Sequence, residues 1–192
     1  MKILLASAAL AASMIVPAAA SAQAVPGAVI AVVDLEKVQS ECTACKAAAT
    51  ALRSQATAQE NREKALITPL QTEQKSIQAA VDALKGKAPD AALQARAQAL
   101  QTKYEQAQQE AARGRQQLQR NQAYIGQQIQ NKLNPIYTQV MQRRGANIMV
   151  EIGTTLASSA NLDVTNDVLT ALNAALPSVQ TTAPAQAAPQ GR

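Results

Sequence analysis

Residues 46–144 constrain the fold most, because they form two long amphipathic stretches separated by a single break. The break, Gly86-Lys87-Ala88-Pro89-Asp90, combines a flexible glycine with a proline that cannot continue a helix. The pattern therefore predicts an antiparallel helical hairpin, or arm, with its turn at residues 86–90. At about 1.5 Å per residue its two helices would be roughly 60 and 80 Å long. About half of the 192-residue chain would then form an extended arm and would add little to a compact core.

Apolar residues recur along both helices at three- and four-residue spacing, which is the period of a coiled coil. Many of these seam positions hold Ala, Gly, Gln or Glu, so the seam buries little apolar area, at about 25 cal/mol per Å². We expect a hairpin that holds together but bends easily. The predicted seam is Leu52, Ala56, Gln59, Glu63, Leu66, Leu70, Glu73, Ile77, Ala80 and Leu84, followed by Leu93, Ala97, Leu100, Tyr104, Ala107, Ala111, Gly114 and Leu118 and, less regularly, Ile125, Ile129, Leu133, Ile136 and Val140.

Two prolines, Pro69 and Pro135, lie inside the helical pattern. Each removes one backbone hydrogen bond, so each predicts a kink. Such kinks are either ordinary helix irregularities or flexible points in limbs that open and close.

The arm is strongly basic. Residues 46–144 contain fifteen Lys and Arg against seven Asp and Glu, a net charge of +8, while the whole chain carries +5. A basic limb attracts acidic partners or anionic lipid head groups through long-range, salt-sensitive forces. The alternative interpretation is a solvated helix surface that charge keeps soluble.

Residues 1–22 have the features of a secretory signal peptide. Lys2 supplies the positive start, residues 3–16 the apolar run, and residues 20–22 the small-residue cleavage pattern, which predicts cleavage between Ala22 and Gln23. A membrane anchor is the alternative, but the run is short for spanning a bilayer. We expect a soluble exported protein. Export and the scarcity of aromatic residues argue against a nucleic-acid partner.

The remaining segments predict a small β base. Residues 23–45 contain a first strand at Ala28–Val33, and residues 145–176 contain a second strand at Ala146–Ile152, a candidate third strand at Thr154–Ser158 and a closing helix at about Asn166–Leu176. Thr165 is the expected N-cap of that helix, with Asp167 near its N-terminus. Residues 177–192 lack apolar periodicity and are expected to be a disordered tail.

Cys42 and Cys45 are the two cysteines of the chain. They could form a local disulfide or remain inert thiols near a helix start, link subunits covalently, or act catalytically. No thioredoxin-like alternation of strands and helices surrounds them, and a chain without histidine lacks the usual zinc ligands and general base. We therefore predict no catalytic residue, metal site or cofactor.

The base is too small to bury a self-sufficient core. Its strands therefore need partners, and other copies of the same chain are the simplest source. The expected fold is α+β, mostly α, with a β base shared within a homo-oligomer and long helical hairpins projecting from it.

Three segments resemble the Skp/OmpH family of periplasmic chaperones: Val29–Val38 resembles its opening strand, Asn147–Glu151 its second strand, and Leu162–Leu169 its closing segment. The resemblance implies a homotrimer whose strands assemble a β-barrel and whose arms enclose a cavity. It also implies that the cavity holds unfolded outer-membrane proteins without ATP, and that anionic lipid or lipopolysaccharide is a further partner. The cysteine pair and the C-terminal tail lie outside this family pattern.

Three functions follow as hypotheses. The first is an ATP-independent periplasmic holdase for unfolded outer-membrane proteins, with client-binding residues that the sequence does not identify. The second is a periplasmic coiled-coil adaptor that binds one defined partner. The third is a thiol oxidoreductase that uses Cys42 and Cys45.

Overall fold

The computed structural model describes residues 26–185 of the chain. The predicted signal peptide and its cleavage site at Ala22 and Gln23 lie outside these residues. The described chain contains two strands, β1 (Ile30–Val33) and β2 (Ile148–Glu151), and four α-helices, α1 (Leu35–Glu41), α2 (Thr43–Ala83), α3 (Ala91–Arg144) and α4 (Thr165–Ala175). This is a mostly helical α+β fold, which confirms the expected class.

Helices α2 and α3, of 41 and 54 residues, pack against each other as the predicted arm. The turn between them spans residues 84–90 and includes Gly86, whose φ of 87° is a conformation that glycine adopts without a steric penalty. Asp90 then begins α3, because its carboxylate accepts a 2.8 Å hydrogen bond from the N–H of Leu93. Both α2 and α3 continue through their prolines, so neither Pro69 nor Pro135 ends a helix.

The predicted seam matches the observed burial. Every seam position of α2 is at least partly buried, and so is every position of α3 except Ala97. The apolar part of the seam is small, with Leu70, Leu100 and Ala107 buried at its centre. Exposed ion pairs also link the two helices (Arg62–Glu110, Arg96–Glu73 and Arg115–Glu63), but such pairs contribute about 1 kcal/mol or less each.

Strands β1 and β2 are parallel, with Ile30 opposite Ile148 and Val33 opposite Glu151. The whole arm is the crossover between them, since parallel strands cannot be joined by a tight turn. On its other side β1 accepts a hydrogen bond, because the N–H of Val164 donates to the carbonyl of Val32 at 2.8 Å. The base core lies between these segments, α4 and the root of the arm, and its fully buried members include Val38, Val140, Val168 and Leu172.

The prediction of a third strand at Thr154–Ser158 is wrong. Residues 152–154 form a 3₁₀ turn and the chain then runs without a strand partner among the described residues. Leu156, the large apolar residue of this segment, is fully exposed. A short segment does not form a strand without a neighbour to complete the hydrogen-bond ladder.

The prediction of Thr165 as an N-cap is also wrong, because Val164 holds that position and Thr165 is the first residue of α4. Thr165 is buried and joins three segments. Its Oγ1 accepts a 2.9 Å hydrogen bond from the N–H of Asp34, and its own N–H donates to Asp163 Oδ1 at 2.8 Å. Hydrogen bonds from the side chain and then the backbone of Thr165 lower the pKa of Asp163.

Glu151, at the end of β2, also serves the base. Its Oε1 accepts a 3.2 Å hydrogen bond from the N–H of Leu35, while its Oε2 is buried without a hydrogen-bond partner in the described part of the chain. Burial, and then the charge of this carboxylate, raise the pKa of Tyr137.

Cys42 and Cys45 lie at the junction of α1 and α2 and are joined as a disulfide. Cys42 interrupts the helix with a ψ of 127°, and its Sγ accepts a hydrogen bond from the N–H of Cys45 at 3.2 Å. Both residues belong to the base core, with 0% and 6% of their surface exposed. A catalytic thiol must meet its substrate, so this burial disfavours the oxidoreductase hypothesis.

We predict that Thr165→Val destabilises the base, because it preserves side-chain shape but leaves the N–H of Asp34 without its partner. The free energy of unfolding should fall by about 1–3 kcal/mol. Thr165→Ser keeps the hydroxyl and is the matched control. Denaturant titration at one protein concentration checks this, and equal stability of the two variants would contradict it.

The same pair of variants should differ in acid. A carboxyl with a lowered folded pKa adds stability that is complete above its unfolded pKa of about 3.9 and is lost as the pH falls through the folded pKa. Thr165→Val should therefore move the pKa of Asp163 back toward its usual range and weaken the dependence of stability on pH below about 4.

We further predict that the exported protein carries the Cys42–Cys45 disulfide within one chain. Its intact mass should be lower than that of the reduced chain by two hydrogens. Because both sulfur atoms are buried, alkylation should require both reductant and denaturant. Rapid alkylation of two free thiols in the folded, untreated protein would refute the prediction.

Candidate functional site

The most distinctive surface of the arm is a groove between α2 and α3, near the base, where amide side chains replace the apolar seam. The groove contains an open cavity of about 500 Å³. We call this surface the amide groove. Its cavity is lined by Gln55, Ala58, Gln59, Arg62, Gly114, Gln117, Leu118 and Asn121.

Gly114 allows the two helices to approach closely here. A Cβ at this position would lie 2.2 Å from the side-chain amide of Gln59. The amide therefore rests against the backbone of α3, where Gln59 Nε2 donates to the carbonyl of Ala111 at 3.5 Å. The same Nε2 donates to Glu63 Oε1 of its own helix at 3.1 Å. A seam built in this way holds polar groups where a coiled coil usually buries apolar ones.

Asn121 is the buried polar residue at the base end of the groove, with 5% of its surface exposed. Its Nδ2 donates to Gln55 Oε1 at 2.8 Å, and its Oδ1 accepts from Gln117 Nε2 at 2.7 Å. Buried amides are stable only when they are hydrogen-bonded, so this set of side chains holds its members in defined positions.

Residues 177–185 follow α4 and run along the arm next to the amide groove; we call this segment the strap. The side-chain amide of Gln128 binds the backbone of Gln180 twice: Oε1 accepts from its N–H at 3.0 Å, and Nε2 donates to its carbonyl at 2.9 Å. The hydroxyl of Tyr124 donates to Gln180 Oε1 at 3.0 Å.

Two further hydrogen bonds join the strap to side chains that line the amide groove. Gln55 Nε2 donates to the carbonyl of Thr181 at 3.1 Å, and the N–H of Ala183 donates to Asn121 Oδ1 at 2.9 Å. The expectation of a disordered tail over residues 177–192 is therefore wrong for residues 177–185, and residues 186–192 lie outside the described chain. Hydrogen bonds to the main chain leave no apolar period, which is why the sequence pattern did not indicate them.

The arm surface is predominantly basic. Ten exposed Lys and Arg side chains of the arm form no salt bridge with any described residue. They are Lys46, Arg53, Lys64, Lys75, Lys85, Lys87, Lys103, Arg113, Lys132 and Arg143.

Within residues 26–185, no cluster of three or more His, Cys, Asp or Glu side chains has the arrangement of a metal site. The helices of the same part of the chain include none that is both long and apolar enough to cross a membrane. Cys42 and Cys45 lie in the base core and not in the amide groove.

The sequence did not single out the groove residues as functional. Gln59 and Gly114 were predicted at the seam, but as weak packing positions, and Gln55, Asn121 and Gln128 were not singled out at all. The available signal was the accumulation of Gln and Asn at facing positions of two helices. In a sequence rich in Gln throughout, that signal has little contrast.

Comparisons with known proteins agree with this architecture. The family model for OmpH, described as outer membrane protein (OmpH-like), matches residues 29–172. The crystal structure of an OmpH-like protein from Caulobacter crescentus, whose proposed role is that of an outer membrane chaperone, superposes with a TM-score of 0.67. That match has 20% sequence identity and covers 82% of this chain and 89% of the other, so it shows a shared fold.

No curated protein sequence matches the chain. The family match includes both strands, the whole arm and most of α4, and it ends before the strap. Because the match spans well over half of the sequence, this chain belongs to the OmpH-like family of outer membrane proteins.

Proposed function

We propose that this protein is an ATP-independent holdase chaperone of the periplasm, which binds unfolded outer-membrane proteins between its helical arms and prevents their aggregation. The observation that carries the proposal is the small apolar area that the two helices of the arm bury against each other. The two helices, of 41 and 54 residues, bury a continuous apolar core only at their root in the base; farther out the second cluster of buried apolar residues is the short one formed by Leu70, Leu100 and Ala107. Surfaces of this length remain available to a client.

The amide groove suits a client without a fixed structure. A Gln or Asn side chain both donates and accepts hydrogen bonds, so it can pair with the main chain of any sequence. Promiscuous binding requires contacts of this kind, because selectivity among clients would need repulsive or uniquely placed groups. The family match and the predicted signal peptide support the same role and location.

The exposed basic side chains support a second part of the proposal. They give the arm a positive field that accelerates encounters with acidic clients and with anionic lipid or lipopolysaccharide. Such attraction weakens as salt shortens the screening length to about 10 Å at 0.1 M.

The base supports assembly with other copies of the chain, and the resemblance to the Skp/OmpH family implies that there are three. Val29, Ile30 and Ile148 expose 50%, 42% and 43% of their surface at the sheet, and the outer edge of β2 has no strand partner among the described residues. An unpaired edge beside apolar side chains favours pairing with another chain. The cavity for the client would then lie between the arms of the three copies.

We predict that stoichiometric amounts of the protein suppress aggregation of an outer-membrane β-barrel protein diluted from denaturant, without nucleotide. Light scattering measures the effect, which should be strongest at low salt. Several unrelated denatured clients should be protected. Tight, saturable binding of one folded partner, with no protection of denatured clients, would instead indicate the adaptor function.

We also predict that Ile148→Glu dissociates the oligomer, because it puts a charge into the apolar sheet surface that the copies share. Val81→Glu makes the same change at an exposed apolar position near the turn of the arm and should leave the assembly intact. Sedimentation velocity distinguishes the two variants. A stable folded monomer of the unmodified protein would contradict the assembly.

A further inference from the structure

We propose that the strap is an intramolecular occupant of the amide groove, and that the extended backbone of an unfolded client displaces it. The inference rests on the proposed function and adds two elements to it. One is the place on the arm where the main chain of a client is bound. The other is a segment of the protein itself that competes for that place.

The arm holds the strap mainly by its backbone. Four main-chain groups of the strap are bound by side-chain amides of the arm: the N–H and carbonyl of Gln180, the carbonyl of Thr181 and the N–H of Ala183. One strap side chain, that of Gln180, adds a contact with Tyr124. A site that binds main-chain groups accepts many different sequences, because every residue except proline offers the same donor and acceptor.

Among the described residues, the last contacts of the strap lie beside the open cavity of the amide groove. Gln55 and Asn121 bind the strap at Thr181 and Ala183, and the same two side chains line the cavity of about 500 Å³. Farther along the arm the cavity is lined by Gln59 and Gln117, whose amides are hydrogen-bonded to Glu63 and Asn121 and would exchange these partners for the main chain of a client. The binding surface is therefore longer than the part of it that the strap covers, and an extended client segment can enter beside the strap and continue along its path.

The strap is held weakly enough to leave. Val179 packs against the base core, but residues 180, 182 and 184 are exposed. Because the strap is tethered through α4, its effective concentration at the groove is on the order of millimolar. A short peptide then competes poorly with the strap, whereas a long client that also contacts the rest of the arm displaces it.

The test compares two variants of the full chain. Gln180→Pro removes the N–H that Gln128 Oε1 accepts, so it loosens the strap without changing the groove. Gln180→Ala is the matched control, because it keeps both main-chain contacts and loses only the bond to Tyr124. The probe is a fluorescent peptide with the sequence of residues 177–185, and its binding is measured by fluorescence anisotropy.

We expect Gln180→Pro to bind the peptide about tenfold more tightly than Gln180→Ala, which corresponds to one lost hydrogen bond. Gln128→Leu in the Gln180→Pro background should abolish this gain, while Gln127→Leu, at an exposed neighbouring position, should not. A denatured outer-membrane β-barrel protein should compete with the peptide. Thermal unfolding followed by circular dichroism verifies that each variant is folded.

A chain that ends at Leu176 provides a second measurement, since it removes the strap and keeps the buried residue that closes the base core. Equal peptide binding by this chain and the full chain would overturn the proposal. The proposed function is tested separately, by measuring whether the unmodified protein prevents aggregation of clients. Protection that is the same with and without the strap, together with no peptide binding, would sink this inference and leave the chaperone function standing.

Discussion

The fold depends on the hydrogen bonds on both sides of β1. Strand β2 pairs with one side, and residues 163–165 bind the other through the Val164–Val32 hydrogen bond and the hydroxyl of Thr165. Each of these partners lies more than a hundred residues away in sequence. The arm can be long because the entropy of closing such a loop grows only with the logarithm of its length. The base core then fixes the root of the arm through Val140 and the disulfide-bonded cysteines.

Away from the base, the chain depends less on buried apolar residues and more on polar contacts. The arm has a short apolar centre, exposed ion pairs and a stretch where amides meet across the seam. Hydrogen bonds between amides give a smaller net stabilisation than burial of large apolar side chains, because the unfolded chain forms equivalent bonds with water. We therefore expect the arm to be less stable than the base, and the elements that move when a protein binds its ligand are drawn from such regions of low local stability.

The sequence was sufficient to predict the parts of the structure that follow from periodicity. Gly86 and Pro89 located the turn, and the seam from Leu52 to Leu84 was placed correctly. The sequence was insufficient where single hydrogen bonds determine the local structure. Thr165 has a side chain typical of a helix cap, yet it binds a strand from a distant part of the chain. The strap has the composition of a disordered tail, and its order comes from the side chains of Gln128, Gln55 and Asn121. The amide groove combines both limits, since only Gln59, Gly114 and Leu118 of its lining were predicted as seam, while its chemistry depends on which amides meet.

The parallel pairing of Ile30 with Ile148 also determines the order in which segments of the newly made polypeptide can fold. The first strand emerges early, but its two neighbours emerge only after the whole hairpin has been synthesised. The contacts of the hairpin join residues on either side of its own turn. It can therefore form before the first strand has paired with its neighbours. During this interval the apolar surface of residues 30–33 lacks its cover. A nascent copy of this protein therefore passes through the same exposed condition from which a holdase protects other chains.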